Sequence, residues 1–197
     1  MNTRKHCAAL AVVLVAALRP ADALAAGGTI SGTVEVVPAK YLEETVVFLK
    51  AVPGNYAPRT FTMDQRGMKF APRILLVTKG DTVRFLNHDA VAHNVYSPDQ
   101  ETYNLGVFEH AQERAHQFAA EGIYAQLCSV HPEMLGYVFV GQNPFSSTVD
   151  AKGHYAIRDV PPGTYQLAVW NAHMKGSEKA VTVAPGVSIA QDLVVRR

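Results

Sequence analysis

The stretch GIYAQLCSVHPEMLGYVFV, residues 122–140, decides how the rest of the sequence is interpreted. Apolar residues on either side predict two β-strands, and the polar, proline-containing segment between them predicts a turn. That turn carries Cys128, His131 and Met134 at intervals of three residues. Thiolate, imidazole and thioether are the softest donors among protein side chains, so one short turn offers three groups that bind transition metals.

This donor set favours copper. Zinc accepts cysteine and histidine but is rarely bound by methionine, and calcium, magnesium and manganese prefer oxygen ligands. Two histidines and a cysteine in a trigonal arrangement, with a weak axial methionine, form a blue-copper electron-transfer site. The turn lacks one histidine, and His93 in the segment FLNHDAVAHNVYSPD (85–99) is the best candidate. His88 is the alternative, although it lies nearer the end of the preceding strand and is not followed by asparagine.

The first 25 residues have the features of a secretory signal peptide. Arg4 and Lys5 precede the apolar run Ala8–Leu18, and residues 23–25 (Ala-Leu-Ala) have the small-x-small pattern of a cleavage site. We therefore expect an exported, periplasmic protein, and no later apolar stretch is long enough to cross a membrane. Removal of these residues leaves Cys128 as the single cysteine. An oxidising compartment rarely leaves a cysteine unpaired unless it is buried or bound to a metal.

The charge composition gives no reason to expect a nucleic-acid partner. The whole chain has 18 Lys+Arg and 17 Asp+Glu, and loss of Arg4, Lys5, Arg19 and Asp22 leaves 15 and 16. The mature chain then has a net charge of about −1 when the side chains have their usual ionisation. Nucleic-acid-binding proteins normally present a basic face, which this composition does not favour.

Nearly all of the chain after residue 27 is predicted to form strands and turns. Regularly spaced short strands of this kind are typical of all-β sandwiches and Greek-key barrels. The turn-rich segments PGNYAP (53–58) and GQNPFS (141–146) predict domain boundaries. The segment EHAQERAHQF (109–118) fits either a helical turn or a polar loop that runs into a strand.

Residues 59–142 resemble the cupredoxins, a family of small blue-copper proteins that includes plastocyanin and amicyanin. The resemblance rests on KGDTVRFLN (79–87), AHNVYS (92–97), EGIYAQLCSVHPEM (121–134) and GYVFV (136–140). It implies a Greek-key β-barrel or sandwich that binds one type 1 copper ion. The residues it implies are the ligands His93, Cys128, His131 and Met134, with Asn94 tying the two ligand loops together.

The C-terminal part of the chain has a resemblance of its own. The segment from TVDAKGHYAIRDV (148–160) onwards is similar to the second part of carboxypeptidase regulatory-like domains, which are small transthyretin-like β-sandwiches, and residues 28–52 are similar to their first part. We therefore predict a discontinuous sandwich from residues 27–54 and 143–197, with residues 55–142 as an inserted cupredoxin domain. Insertion is tolerated where the entry and exit of a domain lie close together. The alternative is that the first two strands join the cupredoxin sheet and that a small β-module is appended after it.

The resemblance implies a periplasmic electron carrier rather than an enzyme. Its expected partner is a redox protein such as a cytochrome c or a periplasmic dehydrogenase. The electron is expected to leave through His131, with Pro132, Leu135 and Gly136 forming an apolar rim for docking. The alternative function is a copper-binding module for delivery, storage or sensing, without rapid electron transfer.

Overall fold

The computed structural model describes residues 26–196, so the predicted signal peptide lies outside the described residues. A 3₁₀ turn covers Ala39–Glu44. The strands of the described chain are β1 (Gly28–Val37), β2 (Thr45–Lys50), β3 (Thr60–Gln65), β4 (Phe70–Ala71), β5 (Ile74–Thr78), β6 (Thr82–Asn87), β7 (His93–Ser97), β8 (Tyr103–Phe108), β9 (Glu113–Gln117), β10 (Gly122–Leu127), β11 (Leu135–Gly141), β12 (Ser146–Thr148), β13 (His154–Val160), β14 (Gly163–Asn171), β15 (Glu178–Val183), β16 (Ser188–Ala190) and β17 (Leu193–Arg196). The fold is therefore all-β, as predicted.

The central strands, β3 to β11, pair among themselves in two sheets. One sheet has the order β5-β11-β10-β7-β8, and the other has the order β4-β3-β6-β9. Alternation along the strands explains the core between the sheets: Val83 and Phe85 of β6 point inward and are fully buried, whereas Arg84 between them is exposed. Cys128 and Met134 belong to the same buried cluster. The candidate metal ligands are therefore anchored in the hydrophobic core of the central strands.

The outer strands, β1, β2 and β12 to β17, form two further sheets. In one, β1 lies between β13 and β16 and also pairs with β17; the other has the order β12-β2-β14-β15. Ile30, Leu49, Ile157 and Leu167 lie in the core between them, each at most 2% exposed. Strands before residue 51 thus pair with strands after residue 145. The division into an enclosing and an inserted domain remains our prediction, and these pairings are the reason to retain it.

The outer and central strands are joined by an apolar contact. Val46 of β2 packs in one cluster with Ile74 of β5 and Phe139 of β11. The rings of Tyr137 and Trp170 meet edge to face, with their centroids 5.3 Å apart. Because Tyr137 lies only two residues beyond the start of β11, this contact is close along the chain to the ligand turn. The outer strands therefore pack against β11, the strand that follows the ligand turn.

A buried carboxylate lies at the same junction. Glu44, only 8% exposed, pairs with Arg73 of the central part and with the imidazole of His173 in the outer part. The His173 ring also stacks on Tyr41, with the centroids 4.0 Å apart. One acidic group therefore bridges the loop before β5 and the loop after β14.

Several elements differ from the sequence-based expectation. The open segment 109–118 contains a strand, β9, and β3 and β8 are strands that the pattern did not predict. The segment 188–196 forms two strands, β16 and β17, and in the break between them the Asp192 carboxylate accepts hydrogen bonds from the amide and hydroxyl of Thr33. None of the helices among the described residues has the length and apolar character needed to cross a membrane.

Candidate metal centre

The turn between β10 and β11 presents its three soft side chains at different depths. Cys128 and Met134 are 2% and 1% exposed, whereas His131 is only partly buried. The amide of Met134 donates a hydrogen bond to the carbonyl of His131 at 3.0 Å, which closes the turn. Strand pairing from Gly122↔Val140 to Leu127↔Leu135 fixes both ends of this turn. The backbone therefore holds all three side chains before any metal is bound.

His93 reaches the same place from another strand. It begins β7, which pairs with β10 at Tyr96↔Leu127 and with β8 at His93↔Phe108. Its ring is fully buried, and its Nδ1 lies 3.9 Å from Cys128 Sγ and 3.0 Å from His131 Nδ1. His88, the alternative, lies outside this cluster: its ring is partly exposed and its Nδ1 is 2.7 Å from Asp64.

The three donor atoms lie at distances that one metal ion can bridge. Each of the ligand atoms of His93, Cys128 and His131 lies within 4.8 Å of the others. Metal–nitrogen bonds of about 2.0 Å and metal–sulfur bonds of about 2.3 Å allow a bridged nitrogen and sulfur to be at most roughly 4.3 Å apart. The separation of 3.9 Å between His93 Nδ1 and the sulfur meets this limit. The residues present therefore fit a soft transition metal held by two imidazoles and a thiolate.

Asn94 connects the two segments that carry these donors. Its backbone amide donates to Cys128 Sγ at 3.3 Å, and its side-chain Oδ1 accepts from the amide of Ser129 at 3.3 Å. Its Nδ2 donates to Asn104 Oδ1 at 2.8 Å and to the carbonyl of Gly106 at 2.9 Å. One asparagine thus anchors the cysteine loop to β7 and β8.

Asp89 is a residue of the site that the sequence reasoning missed. Its Oδ2 lies 2.9 Å from His93 Nε2, and its carboxylate also accepts from the amides of Gly67 and Met68 at 2.6 and 2.8 Å. Burial opposes ionisation of this carboxyl group, but the hydrogen bonds from Met68, Gly67 and His93 outweigh it and lower the pKa of Asp89. The available signal was an acidic residue four positions before the candidate histidine.

The remaining histidines of the described chain lie outside the cluster. His110 Nδ1 donates a hydrogen bond to the backbone carbonyl of Asp89, His154 pairs with Asp150, and His173 pairs with Glu44. His116 is half-buried, with its ring stacked on Tyr103 at 3.9 Å between centroids. Each of these four rings therefore makes its contacts outside the donor cluster.

The expected docking rim is only partly at the surface. Pro132 is exposed and Leu135 half-buried, but Gly136 is buried, and a Cβ added to it would lie 2.7 Å from Phe70 Cβ. Gly136 is therefore a packing residue rather than part of the rim. Val130, 44% exposed, lies in the ligand turn itself and extends the apolar surface there.

Two family models match the chain. Residues 58–141 match the model described as "Copper binding proteins, plastocyanin/azurin family". Residues 140–191 match the model described as "Polysaccharide lyase family 4, domain II", which is compatible with a β-sandwich in the outer strands. No curated protein matches the chain.

Solved structures similar to this chain align with part of it. A purple cupredoxin from Nitrosopumilus maritimus is 27% identical and covers 41% of this chain and 98% of its own, with a TM-score of 0.39. A reduced variant of amicyanin is 30% identical and covers 40% of this chain and 79% of its own, with a TM-score of 0.38. A copper-containing nitrite reductase from Thermus scotoductus SA-01 is 26% identical, covering 47% of this chain and 24% of its own, with a TM-score of 0.41. All three TM-scores lie below 0.5, so the family assignment rests on the match over residues 58–141.

Proposed function

Since residues 58–141 belong to the plastocyanin/azurin family of copper-binding proteins, we propose that this protein is an exported carrier of single electrons between redox proteins. Its cofactor is a copper ion. When bound, copper supplies a one-electron Cu(II)/Cu(I) couple. In each cycle a donor protein loses one electron and an acceptor gains one, with no bond made or broken. We propose His93, Cys128, His131 and Met134 as the ligands, with Asn94 supporting them.

The observation that carries this proposal is the convergence of the ligand atoms of His93, Cys128 and His131 within 4.8 Å of one another. Two of these groups are buried in the core, and strand pairing fixes the turn that holds the sulfur. A site held by its surroundings changes little between two oxidation states of the metal, which favours electron transfer. Met134 lies in the same buried cluster as Cys128, so its thioether would be the fourth group to hold the metal.

His131 is the proposed point of electron exit. Its ring is partly exposed, whereas His93 and Cys128 are buried. Exposed apolar side chains occur in the loops at this end of the central strands: Val130 is 44%, Val91 47% and Met68 48% exposed. A small surface with exposed apolar side chains suits the weak, transient interfaces of redox encounters. The partner is proposed only by class, as a redox protein such as a cytochrome c or a dehydrogenase.

Copper titration of the mature protein, followed by visible absorption and electron paramagnetic resonance, tests the proposal. We expect one equivalent of copper, an intense thiolate-to-copper charge-transfer band and a narrow parallel hyperfine splitting. Cys128→Ser should abolish the band and keep the circular dichroism of the fold. His154→Ala, which removes a surface histidine paired with Asp150, is the matched control and should keep the band.

Three outcomes would contradict the proposal. Tight binding without the charge-transfer band would indicate delivery or storage rather than electron transfer. A band that persists in Cys128→Ser would show that the thiolate has been assigned wrongly. Turnover of nitrite or oxygen without a partner protein would make the chain an enzyme.

A further inference from the structure

The buried imidazole of His93 has a defined hydrogen-bond partner on the side away from the sulfur. Its Nε2 lies 2.9 Å from Asp89 Oδ2, and the ring is completely buried. Both oxygens of this carboxylate also accept backbone amides, from Gly67 and Met68, so the group acts as an acceptor and Nε2 is placed to donate to it. In the neutral ring Nδ1 then bears the lone pair, and Nδ1 is the atom that faces Cys128 and His131. Asp89 thereby selects the tautomer that can bind a metal at this position.

The Asp89 carboxylate is held independently of His93. It accepts from the amides of Gly67 and Met68, which have positive φ angles of 62° and 54° at the tip of the β3–β4 connection. The amide of Asp89 donates to Asn87 Oδ1 at 2.9 Å, and Asn87 is fully buried. The carboxylate is therefore a fixed group against which the imidazole is oriented.

The charge of Asp89 is not neutralised by a basic side chain in the part of the chain that the structure describes. Its one ion-pair partner there is His93, and its side chain is only 14% exposed. A carboxylate that accepts the distal N–H of a ligating histidine makes the ring a stronger donor to the metal. A stronger donor with a nearby negative charge stabilises the more positive oxidation state. The effect should therefore favour Cu(II) over Cu(I).

We propose that Asp89 is a positioning residue that fixes the orientation and tautomer of His93 and lowers the reduction potential of the copper site. This inference rests on the proposed function, because it takes His93 as a ligand. Asp89 then contributes to the reduction potential of the carrier in addition to the four proposed ligands.

Asp89→Asn tests this role, because it removes the charge and keeps the shape. We expect Cu(II) affinity to fall between about tenfold and a hundredfold, the usual loss when a partner of a ligand is removed. A fall of about tenfold in the ratio of Cu(II) to Cu(I) affinity would raise the reduction potential by about 59 mV for a one-electron couple. The potential is the decisive measurement, since a purely structural role would not move it in a defined direction.

Asp64→Asn is the matched control. Asp64 pairs with the neighbouring His88 at 2.7 Å, so this variant removes the same charge beside a histidine outside the donor cluster. We expect its affinity ratio to stay within about twofold of the parent. An unchanged potential in Asp89→Asn overturns the proposal, and so does an equal shift in both variants, which would indicate a long-range charge effect only.

A second test measures the ¹⁵N chemical shifts of His93 in the metal-free parent protein. It requires neither a copper spectrum nor a variant that folds. We expect a protonated Nε2 and an unprotonated Nδ1, and the opposite tautomer overturns the proposal. If the parent shows this tautomer but gives no type 1 spectrum, the proposed function fails while the Asp89–His93 pairing stands. If the type 1 spectrum appears with the opposite tautomer, only the role of Asp89 fails.

Discussion

The backbone amide of Asn94 donates a hydrogen bond to Cys128 Sγ at 3.3 Å, across 34 residues of sequence. The side chain of the same asparagine accepts from the amide of Ser129, the residue after the cysteine. The two loops that carry the proposed ligands are therefore connected to each other directly as well as through any metal they share. This connection leads to a prediction about stability that does not depend on copper.

Asn94→Ala should lower the free energy of unfolding of the metal-free protein by about 1–3 kcal/mol, because it removes three hydrogen bonds made by the side-chain amide of a residue that is only 1% exposed. The charge-transfer band should survive, since the backbone donor to sulfur remains. Chemical denaturation measures the first effect and visible absorption the second. Thr102→Ala, an exposed change with only local hydrogen bonds, should stay within about 0.5 kcal/mol of the parent; an equal loss in both variants would argue against the network.

Met134→Leu should keep some of the visible colour and raise the reduction potential, because an axial thioether tunes this couple and leucine offers no lone pair. The two side chains have similar volumes, so the buried position should lose less than about 1.5 kcal/mol of stability. Met68→Leu is the control, because Met68 is 48% exposed and belongs to no proposed ligand set. Voltammetry of the two variants measures the reduction potential. An unchanged potential in Met134→Leu would show that Met134 is not a ligand.

The ion pair between Glu44 and Arg73 should be stronger than an ordinary surface pair. Its acid is 11% exposed in the side chain, whereas Lys50 and Glu178 are 46% and 49% exposed. A double-mutant cycle with Glu44→Gln and Arg73→Met should give a coupling energy of about 1–2 kcal/mol, between the values for exposed and buried pairs. The matched cycle on Lys50 and Glu178 should give less than about 1 kcal/mol. Coupling no larger at Glu44 than at Glu178 would mean that the bridge contributes little to the junction.

His116 should make the stability depend on pH. Burial lowers the pKa of this imidazole, and the nearby Glu101 carboxylate, 3.5 Å away, opposes the shift only in part. The unfolded chain therefore takes up a proton first as the pH falls through about 6.5, so the contribution of neutral His116 is present above that value and is lost below it. The other groups against the ring are Tyr103, whose pKa is raised, and the apolar Phe118.

His116→Phe keeps an aromatic ring against Tyr103 and removes the titration. Its free energy of unfolding should fall less than that of the parent between pH 7.5 and 5.5, by at most about 1.4 kcal/mol per pH unit. Denaturant titrations at several pH values measure this difference. Parallel curves for the two proteins would show that His116 does not contribute to the pH dependence.

The part of the site that is local in sequence was the part that could be predicted. Cys128, His131 and Met134 lie within seven residues, so their spacing alone suggested a metal. The sequence offered His93 beside the alternative His88, and the long-range pairing of β7 with β10 is what brings His93 to the turn. Asp89 was missed because a carboxylate in a loop has no periodicity that indicates which way it points.

The fold, too, could be predicted only in part from the sequence. The all-β class follows from the spacing of short strands, but β8 was not recognised because most of its residues are half-buried or exposed. Its glycine at position 106 also has a positive φ of 74°, which an apolar pattern does not indicate. The bridge from Glu44 to Arg73 joins residues 29 positions apart, and nothing in either local segment identifies its partner.

The pairing of β1 has a consequence for the order in which the chain can fold. This strand, complete at residue 37, takes all its partners from residues 154–196, whereas the central strands find theirs between residues 60 and 141. During synthesis the copper-binding part can therefore collapse while β1 still has no neighbour, since contacts of high sequence separation form late. Until β13 emerges, β1 is an unpaired edge with buried-type side chains such as Ile30 and Val34, and such edges recruit other chains. The interval of greatest risk therefore lies before residues 154–160 have been made, and a chain cut before residue 154 would leave that edge exposed permanently.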